Sequence, residues 1–402
     1  MPDRFELSRR HALAGMAAMP LVSCGGMSAG NSAPPESAPT VALTGEAYPK
    51  PSLETLAQRG GRHFGSAIAS TPGRTDAGSV QNPRYTDLIK AECGMVVPEN
   101  EMKWQTVRPS PDTFDFSRMD DIARWSQANG LALRGHTLLW HRPQWFPDWL
   151  NNYDFGANPA TEAARLLTKH IEAVTTRYKG LITSYDVVNE AIDHDRNDTI
   201  ETSLSRAMGS PEEVIDLAFR SAREQLPDGQ LVYNDYMSWE PQHQKHNEDV
   251  LRLLEGMVSR GVPVDALGIQ SHIELFEIDP ATGVGPYMER EWRRFLDEVT
   301  GMGLRLLITE FDVKDRELPS NIAERDSKVA DYTRRYFDVM LDYDAHLDDI
   351  LMWGMIDKFN WLQYFDPAKR ADGLEVRGTP YTSNYEPKPM RTAIAEALAA
   401  AA

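Results

Sequence analysis

The chain has 402 residues, 41% of them hydrophobic, so it can bury a large core as one big domain or two ordinary ones. Asp and Glu number 60 against 42 Lys and Arg, a formal charge of −18 that argues against nucleic acid as a partner. A neutral polysaccharide is compatible with that surface.

The N-terminus has the pattern of a targeting segment. Ser8-Arg9-Arg10-His11 holds a twin-arginine pair, and an apolar stretch runs from Ala12 to Val22. Leu21-Val22-Ser23-Cys24 then resembles a bacterial lipoprotein signal, with residues 1–23 cut off and Cys24 lipidated. Residues 24–50, rich in Ser, Ala, Gly and Pro, read as a flexible linker. Export to the bacterial cell envelope, periplasm or outer membrane, is the expectation, with membrane attachment only through Cys24. The other cysteine, Cys93, lies in an apolar run and reads as a buried, inert thiol without a disulfide partner.

From Pro51 onward strand-like and helix-like patterns alternate. Strands are predicted at 64–69, 93–97, 131–136, 182–189, 231–235, 266–272, 305–310 and 350–354. Helices are predicted at 117–129, 160–179, 287–300, 325–343 and 388–399. Another opens at the Ser210-Pro211-Glu212-Glu213 capping signal, and another carries Val250, Leu251, Leu254, Met257 and Val258. In 160–179, Ala163, Leu167, Ile171, Val174 and Tyr178 share one face and Gly180 stops the helix. Eight strands with helices between them and no internal repeat predict an α/β fold, a single (β/α)8 TIM barrel over 51–402, preceded by signal peptide and linker. A barrel takes about 250 residues, so the loops here are long. The alternative, two doubly wound domains, is weakened because Arg59-Gly60-Gly61-Arg62 precedes a strand instead of following one, as a phosphate loop would.

Two stretches share one construction. Ser184-Tyr185-Asp186-Val187-Val188-Asn189-Glu190 and Leu306-Leu307-Ile308-Thr309-Glu310 are apolar runs ending in Glu. Two strands that each deliver a carboxyl at the C-terminal end supply the minimum equipment for splitting a glycosidic bond. A lone Glu would read as a surface acid. The other strand ends change that balance: Glu99, Asn100, Lys103 and Trp104 follow the second strand, and His136 and Trp140 the third. Asn234 and Tyr236 follow the fifth, Gln270 and His272 the sixth, Asp312 the seventh, and Trp353 and Trp361 the eighth. Packing would want apolar residues at these positions.

The chain resembles glycoside hydrolase family 10, the endo-1,4-β-xylanases. The matching stretches begin with Pro98-Glu99-Asn100-Glu101-Met102-Lys103-Trp104, Arg134-Gly135-His136-Thr137-Leu138-Leu139-Trp140-His141 and Asp186-Val187-Val188-Asn189-Glu190. Tyr233-Asn234-Asp235-Tyr236, Gly268-Ile269-Gln270-Ser271-His272, Ile308-Thr309-Glu310-Phe311-Asp312 and Trp353-Gly354 continue them in the family's order. The resemblance implies a xylan-degrading enzyme in which Glu310 is the nucleophile and Glu190 the acid/base, with retention of configuration and carboxyls about 5–5.5 Å apart. Glu190 must start protonated and Glu310 ionised, so their surroundings must differ. Asn189 is then the partner of the sugar 2-hydroxyl, and His272, held by Asp312, orients the nucleophile. Gln270 and His136 are expected to contact the reacting sugar, and Glu99, Asn100 and Lys103 the next one towards the non-reducing side. Trp140, Trp353 and Trp361 would wall the cleft, with Tyr236 near the leaving group. Xylan and xylo-oligosaccharides are the implied partners, for a monomer needing no cofactor or metal; His136, His141 and His272 are not spaced as metal ligands.

Bland roles are expected for Trp104 (core), His141 (packing), and Asp186 and Asp235 (buried supports). The chain departs from the family pattern at Tyr185, where Trp is usual, at Met237, where Asn is usual, and around Lys358. Residues 193–209 lack the usual Trp. These departures put subsite preference in question. A related glycanase preferring short oligosaccharides or glucans, and a glycan-binding protein on a degenerate barrel, are the competing readings. The second is disfavoured by the joint presence of Asn189, Glu190, His272, Glu310 and Asp312.

Overall fold

The apolar runs become parallel strands: β1 (Phe64–Ile68), β2 (Met95–Pro98), β3 (Ala132–Trp140), β4 (Ile182–Asn189), β5 (Gln230–Asp235), β6 (Ala266–Ile269), β7 (Arg305–Lys314) and β8 (Leu347–Met352). Each pairs with the next, β7 pairs with β8, and β8 returns to β1, so the sheet closes into a barrel. Strands buried on both faces need continuous apolar sequence, and every residue of β1 is buried. The computed structural model describes residues 48–193, 198–275 and 287–401. The signal peptide, Cys24 and the linker up to residue 47 lie outside the described residues.

A helix follows each strand: α1 (Pro83–Glu92), α2 (Ser117–Ala128), α3 (Pro159–Arg177), α4 (Pro211–Gln225), α5 (Gln244–Ser259), α6 (Glu289–Gly301), α7 (Ile322–Leu341) and α8 (Pro389–Ala400). The (β/α)8 expectation holds. Ser210 caps α4 by accepting from the Glu213 N–H at 3.2 Å, with Pro211 at the first helical position. Sequence reasoning did not anticipate α1. Its start is nonetheless ordinary: Asn82 Oδ1 accepts from the Arg84 and Tyr85 N–H groups at 3.1 and 3.2 Å, and Pro83 follows it.

The main core lies between the barrel and its helices and includes Leu88, Ile171, Val174, Phe219, Val250 and Phe337. Smaller clusters fill other parts of the fold, one of Ala67, Met95, Val97, Leu351 and Trp353, another of Val232, Ala266 and Leu307. A polar element is also buried: Arg134 donates to both Asp186 oxygens at 2.7 and 2.5 Å. Asp186 is thus a buried support. Burial works to raise its pKa, but Arg134 and His136 prevail and hold it below the usual aspartate range.

Three features differ from the sequence expectation. Residues 48–50, assigned to the linker, begin the folded body: Tyr48 is buried edge-on against Tyr381, and Arg391 Nη2 donates to the Pro49 carbonyl at 3.3 Å. The sixth strand stops at Ile269, because Ser271 takes a left-handed φ of 60°. His272–Glu274 then forms a separate short strand paired with Asp312–Lys314 of β7. Finally, Tyr185 does not reach the cleft. It is fully buried in the main core, lying over Gly135, where a Cβ would come 2.2 Å from its ring. Cys93 is buried and free, and burial pushes its thiol well above the usual range.

Candidate active site

The C-terminal ends of the strands surround a cleft of about 470 Å³. Glu99, Asn100, Lys103, His136, Trp140, Asn189, Glu190, Tyr236, Gln270, His272, Glu310, Trp353 and Trp361 all line it. Asp312 lies behind, fully buried. The structure therefore brings together the residues singled out from the strand ends, apart from Trp104 and Asn234, which are buried and do not line the cleft.

Glu310, in the middle of β7, is 5% exposed. Its Oε1 accepts from Asn234 Nδ2 at 2.8 Å and its Oε2 lies 3.3 Å from His272 Nε2. His272 Nδ1 lies 2.8 Å from Asp312 Oδ1, and Trp361 Nε1 donates to Asp312 Oδ2 at 2.7 Å. Burial works to lower the His272 pKa, but Asp312 and Glu310 raise it to about 9. The imidazole is thus a cation at neutral pH. Burial likewise works to raise the Glu310 pKa, yet His272, His136 and Lys103 hold it below the usual glutamate range. Glu310 is an anion kept ionised in a nearly dry site, the state a nucleophilic carboxylate needs.

Glu190 directly follows β4 with a φ of 51°, in the left-handed region that residues other than glycine seldom adopt. Its N–H donates to the Asn234 carbonyl at 2.9 Å, which helps hold that conformation and turns the carboxyl into the cleft. Gln270 Nε2 donates to its Oε1 at 3.0 Å and Trp140 Nε1 to its Oε2 at 3.1 Å. Arg142 Nε lies 3.0 Å from the same Oε2, an ion pair whose N–H is not aligned as a hydrogen bond. The Glu190 side chain is 16% exposed, against 7% for Glu310. The two carboxyls therefore face one cleft from different strands in different surroundings.

Asn189 Oδ1 accepts from Asn234 Nδ2 at 2.8 Å and Gln270 Nε2 at 3.3 Å. Its own Nδ2 is buried with no partner, a donor left for something entering the cleft. Lys103 Nζ donates to Asn100 Oδ1 at 3.0 Å and sits over the rings of Trp140 and Trp353 at 4.5 and 5.8 Å. Burial lowers the Lys103 pKa, opposed by Glu310, Glu99 and Glu190. Burial raises that of Glu99, helped by Glu101 and opposed by Lys103. His136 Nδ1 is 2.8 Å from Asp186 Oδ2, which fixes its ring at the cleft wall.

Sequence reasoning picks out Asn234 at the end of the fifth strand but gives it no role, and it does not pick out Arg142 at all. Asn234 bridges Asn189 and Glu310, and its Oδ1 accepts from the Thr309 hydroxyl at 2.6 Å. A Cβ on Gly268 would stand 2.3 Å from that oxygen, so only glycine leaves room. Arg142 gave no signal, because an Arg in a loop ordinarily reads as a solvated charge. Of the departures, Met237 lines the cleft; Lys358 instead pairs with Asp76 at 2.7 and 2.9 Å. Trp104 is core, stacked on His170 at 4.1 Å, and buried His141 packs with its Nε2 2.9 Å from the Ile200 carbonyl.

Comparisons with known proteins agree with this geometry. The profile of glycosyl hydrolase family 10 matches residues 52–397. The β-1,4-xylanase of Dictyoglomus thermophilum is 31% identical over 311 residues, 76% of this chain and 82% of that protein. Endo-1,4-β-xylanase B of Thermotoga neapolitana is 29% identical over 346 residues, 86% of this chain and 91% of its own length. The structure of xylanase 10B from Thermotoga maritima is 30% identical with a TM-score of 0.74, covering 86% of this chain and 98% of that one. Xylanase 10B from Thermotoga petrophila RKU-1, solved in complex with xylobiose, is also 30% identical, with a TM-score of 0.72 and coverage of 86% and 97%. With its eight-stranded barrel, its paired carboxyls and a match spanning nearly all the described residues, the chain belongs to glycosyl hydrolase family 10.

Proposed function

We propose that the chain is an endo-1,4-β-xylanase, hydrolysing internal β-1,4-xylosidic bonds of xylan by a retaining double displacement. The observation that carries this is the pairing of Glu310, an anion buried against the His272 cation, with Glu190, a carboxyl on the same cleft held by Trp140, Gln270 and Arg142. Relatives named as xylanases, and a relative bound to xylobiose, supply the substrate class.

In the first step a Glu310 oxygen attacks the anomeric carbon. The bond from that carbon to the leaving oxygen breaks, and the oxygen takes the Glu190 proton. In the second step Glu190 removes a proton from water. The water oxygen attacks the anomeric carbon and Glu310 departs as carboxylate. Asn189 Nδ2, buried and unpartnered, is the donor placed for the sugar 2-hydroxyl. Lys103, Asn100, Glu99 and His136 hold hydroxyls of the glycone, Trp140, Trp353 and Trp361 wall the cleft, and Tyr236 meets the leaving group. Reducing-sugar release from xylan by the native enzyme and by Glu310→Ala tests the reading: release by the native chain and none by the variant is expected. Binding of xylan without release by either protein would overturn it.

The enzyme works at the cell envelope as a lipoprotein anchored through Cys24, as the twin arginines and Leu21-Val22-Ser23-Cys24 suggest. Metabolic labelling with a tritiated fatty acid should mark the native chain and spare Cys24→Ala. Equal labelling of both would exclude Cys24 as the anchor.

A further inference from the structure

Arg142 stands in the loop after β3, and three separate contacts hold it. Nη2 donates to the Ile192 carbonyl and to the Tyr236 hydroxyl, both at 3.0 Å, and the guanidinium lies 5.3 Å from the centre of the Tyr236 ring. Its Nε is left 3.0 Å from Glu190 Oε2. The side chain is 18% exposed and lines the cleft. Tyr236 is itself fixed by stacking on His246 at 4.4 Å. The guanidinium is therefore not a mobile surface charge that happens to touch Glu190. It is braced from the loop after β5 and from the stretch after β4, and these contacts fix its charge beside the carboxyl.

We propose that Arg142 is a positioning residue for the acid/base, presenting a fixed positive charge to Glu190 Oε2 on the leaving-group side of the cleft. This rests on the double-displacement reading above. Among the described residues, few charged and titratable groups face Glu190. Lys103 approaches from the loop after β2, His136 from β3, Tyr236 from the loop after β5, His272 from beyond β6 and Glu310 from β7. Trp140 and Gln270 contribute neutral donors. Arg142 is the cation with an atom at 3.0 Å from the carboxyl, whereas Lys103 is turned to Asn100 and His272 to Glu310 and Asp312.

The two chemical steps need opposite states of Glu190, so a fixed cation acts on them in opposite senses. The first step needs the carboxyl protonated. A neighbouring cation disfavours a protonated carboxyl. The second step needs the carboxylate, which the same positive charge favours. Arg142 thus trades alkaline range in the first step for acidic range in the second.

The test compares the native enzyme with Arg142→Met and Arg142→Lys. The pH profile of kcat/KM on a xylo-oligosaccharide reports the acid-assisted first step. The pH profile of kcat on an aryl xylobioside with a dinitrophenol leaving group, which needs little acid assistance, reports the second. In Arg142→Met the alkaline limb of the first profile should move up by about one pH unit, and the acidic limb of the second should move up in parallel. Arg142→Lys should return both limbs most of the way. A uniform loss of rate with both limbs in place would make Arg142 a structural residue only, and unchanged profiles and rates would give it no role; either result overturns the proposal. If Arg142→Met does not fold, Arg142→Gln decides in its place: limbs displaced in the same sense support the proposal, and limbs left at their native positions contradict it. A native chain that cleaves neither substrate would instead sink the functional reading.

Discussion

Asn234 Nδ2 donates to Glu310 Oε1 at 2.8 Å while also donating to Asn189 Oδ1 at 2.8 Å. One buried amide thus joins the nucleophile to the residue placed for the sugar 2-hydroxyl. It is aimed by the Thr309 hydroxyl, and bare Gly268 gives it room.

Asn234→Ala removes one of the two groups hydrogen-bonded to the Glu310 carboxylate. Hydrogen bonds to charged groups contribute about 1.5–3 kcal/mol, so kcat/KM on a xylo-oligosaccharide should fall roughly ten- to a hundredfold. Asn234→Asp should fall further, because it sets a second anion against Glu310. Steady-state kinetics with a melting curve to confirm folding checks this. An Asn234→Ala enzyme with native kcat/KM would show that the bridge has no part in catalysis.

His272 gives a pH signature. Its folded pKa of about 9 lies above the ordinary 6.5. A raised value means that the group stabilises the fold fully below the ordinary value and that this is lost as pH climbs through the folded one. The stability gap between the native chain and His272→Gln, measured by urea titration, should therefore be wide at about pH 6 and narrow by about pH 10. A gap that stayed constant would mean that the imidazole is neutral throughout.

Gly135→Ala puts a Cβ 2.2 Å from the ring of Tyr185, which is fully buried and has no room to retreat. Overpacking of this kind costs about 1–3 kcal/mol, so the melting temperature should drop. Tyr185→Ala in the same chain should make the two substitutions strongly non-additive. Additive losses would locate the cost elsewhere.

Much of this site was legible because a barrel delivers its chemistry at strand ends, and polar residues there stand out against apolar runs. Glu190 and Glu310 could be paired across more than a hundred residues for that reason. What escaped was detail set by packing in three dimensions. The alternation of a strand does not say that Tyr185 lies over Gly135 instead of behind the sugar. A tryptophan such as Trp361 looks like a wall of the cleft, and only its indole bond to Asp312 shows that it also props His272. The break after Ile269 follows from one serine backbone angle, invisible in composition. Helix α1 was missed although Asn82-Pro83 is a good start, since its ten residues carry a short apolar stripe.

Glu190→Gln should separate the two roles of the acid/base. General acid catalysis contributes about a hundred- to ten-thousandfold, so the loss on xylan should fall in that range. On a dinitrophenyl xylobioside the first step should lose far less, and the glycosyl-enzyme should accumulate because water lacks its base. A burst of dinitrophenol followed by slow turnover is the expected trace. Equal losses on both substrates would remove Glu190 from the leaving-group role.

The most direct test of the double displacement is the anomeric configuration of the product at the moment it forms. Proton NMR during cleavage of a xylo-oligosaccharide should show the β-anomeric signal first, with the α signal growing in only by mutarotation. An α-anomer appearing first would mean single displacement by water and would contradict Glu310 as the nucleophile.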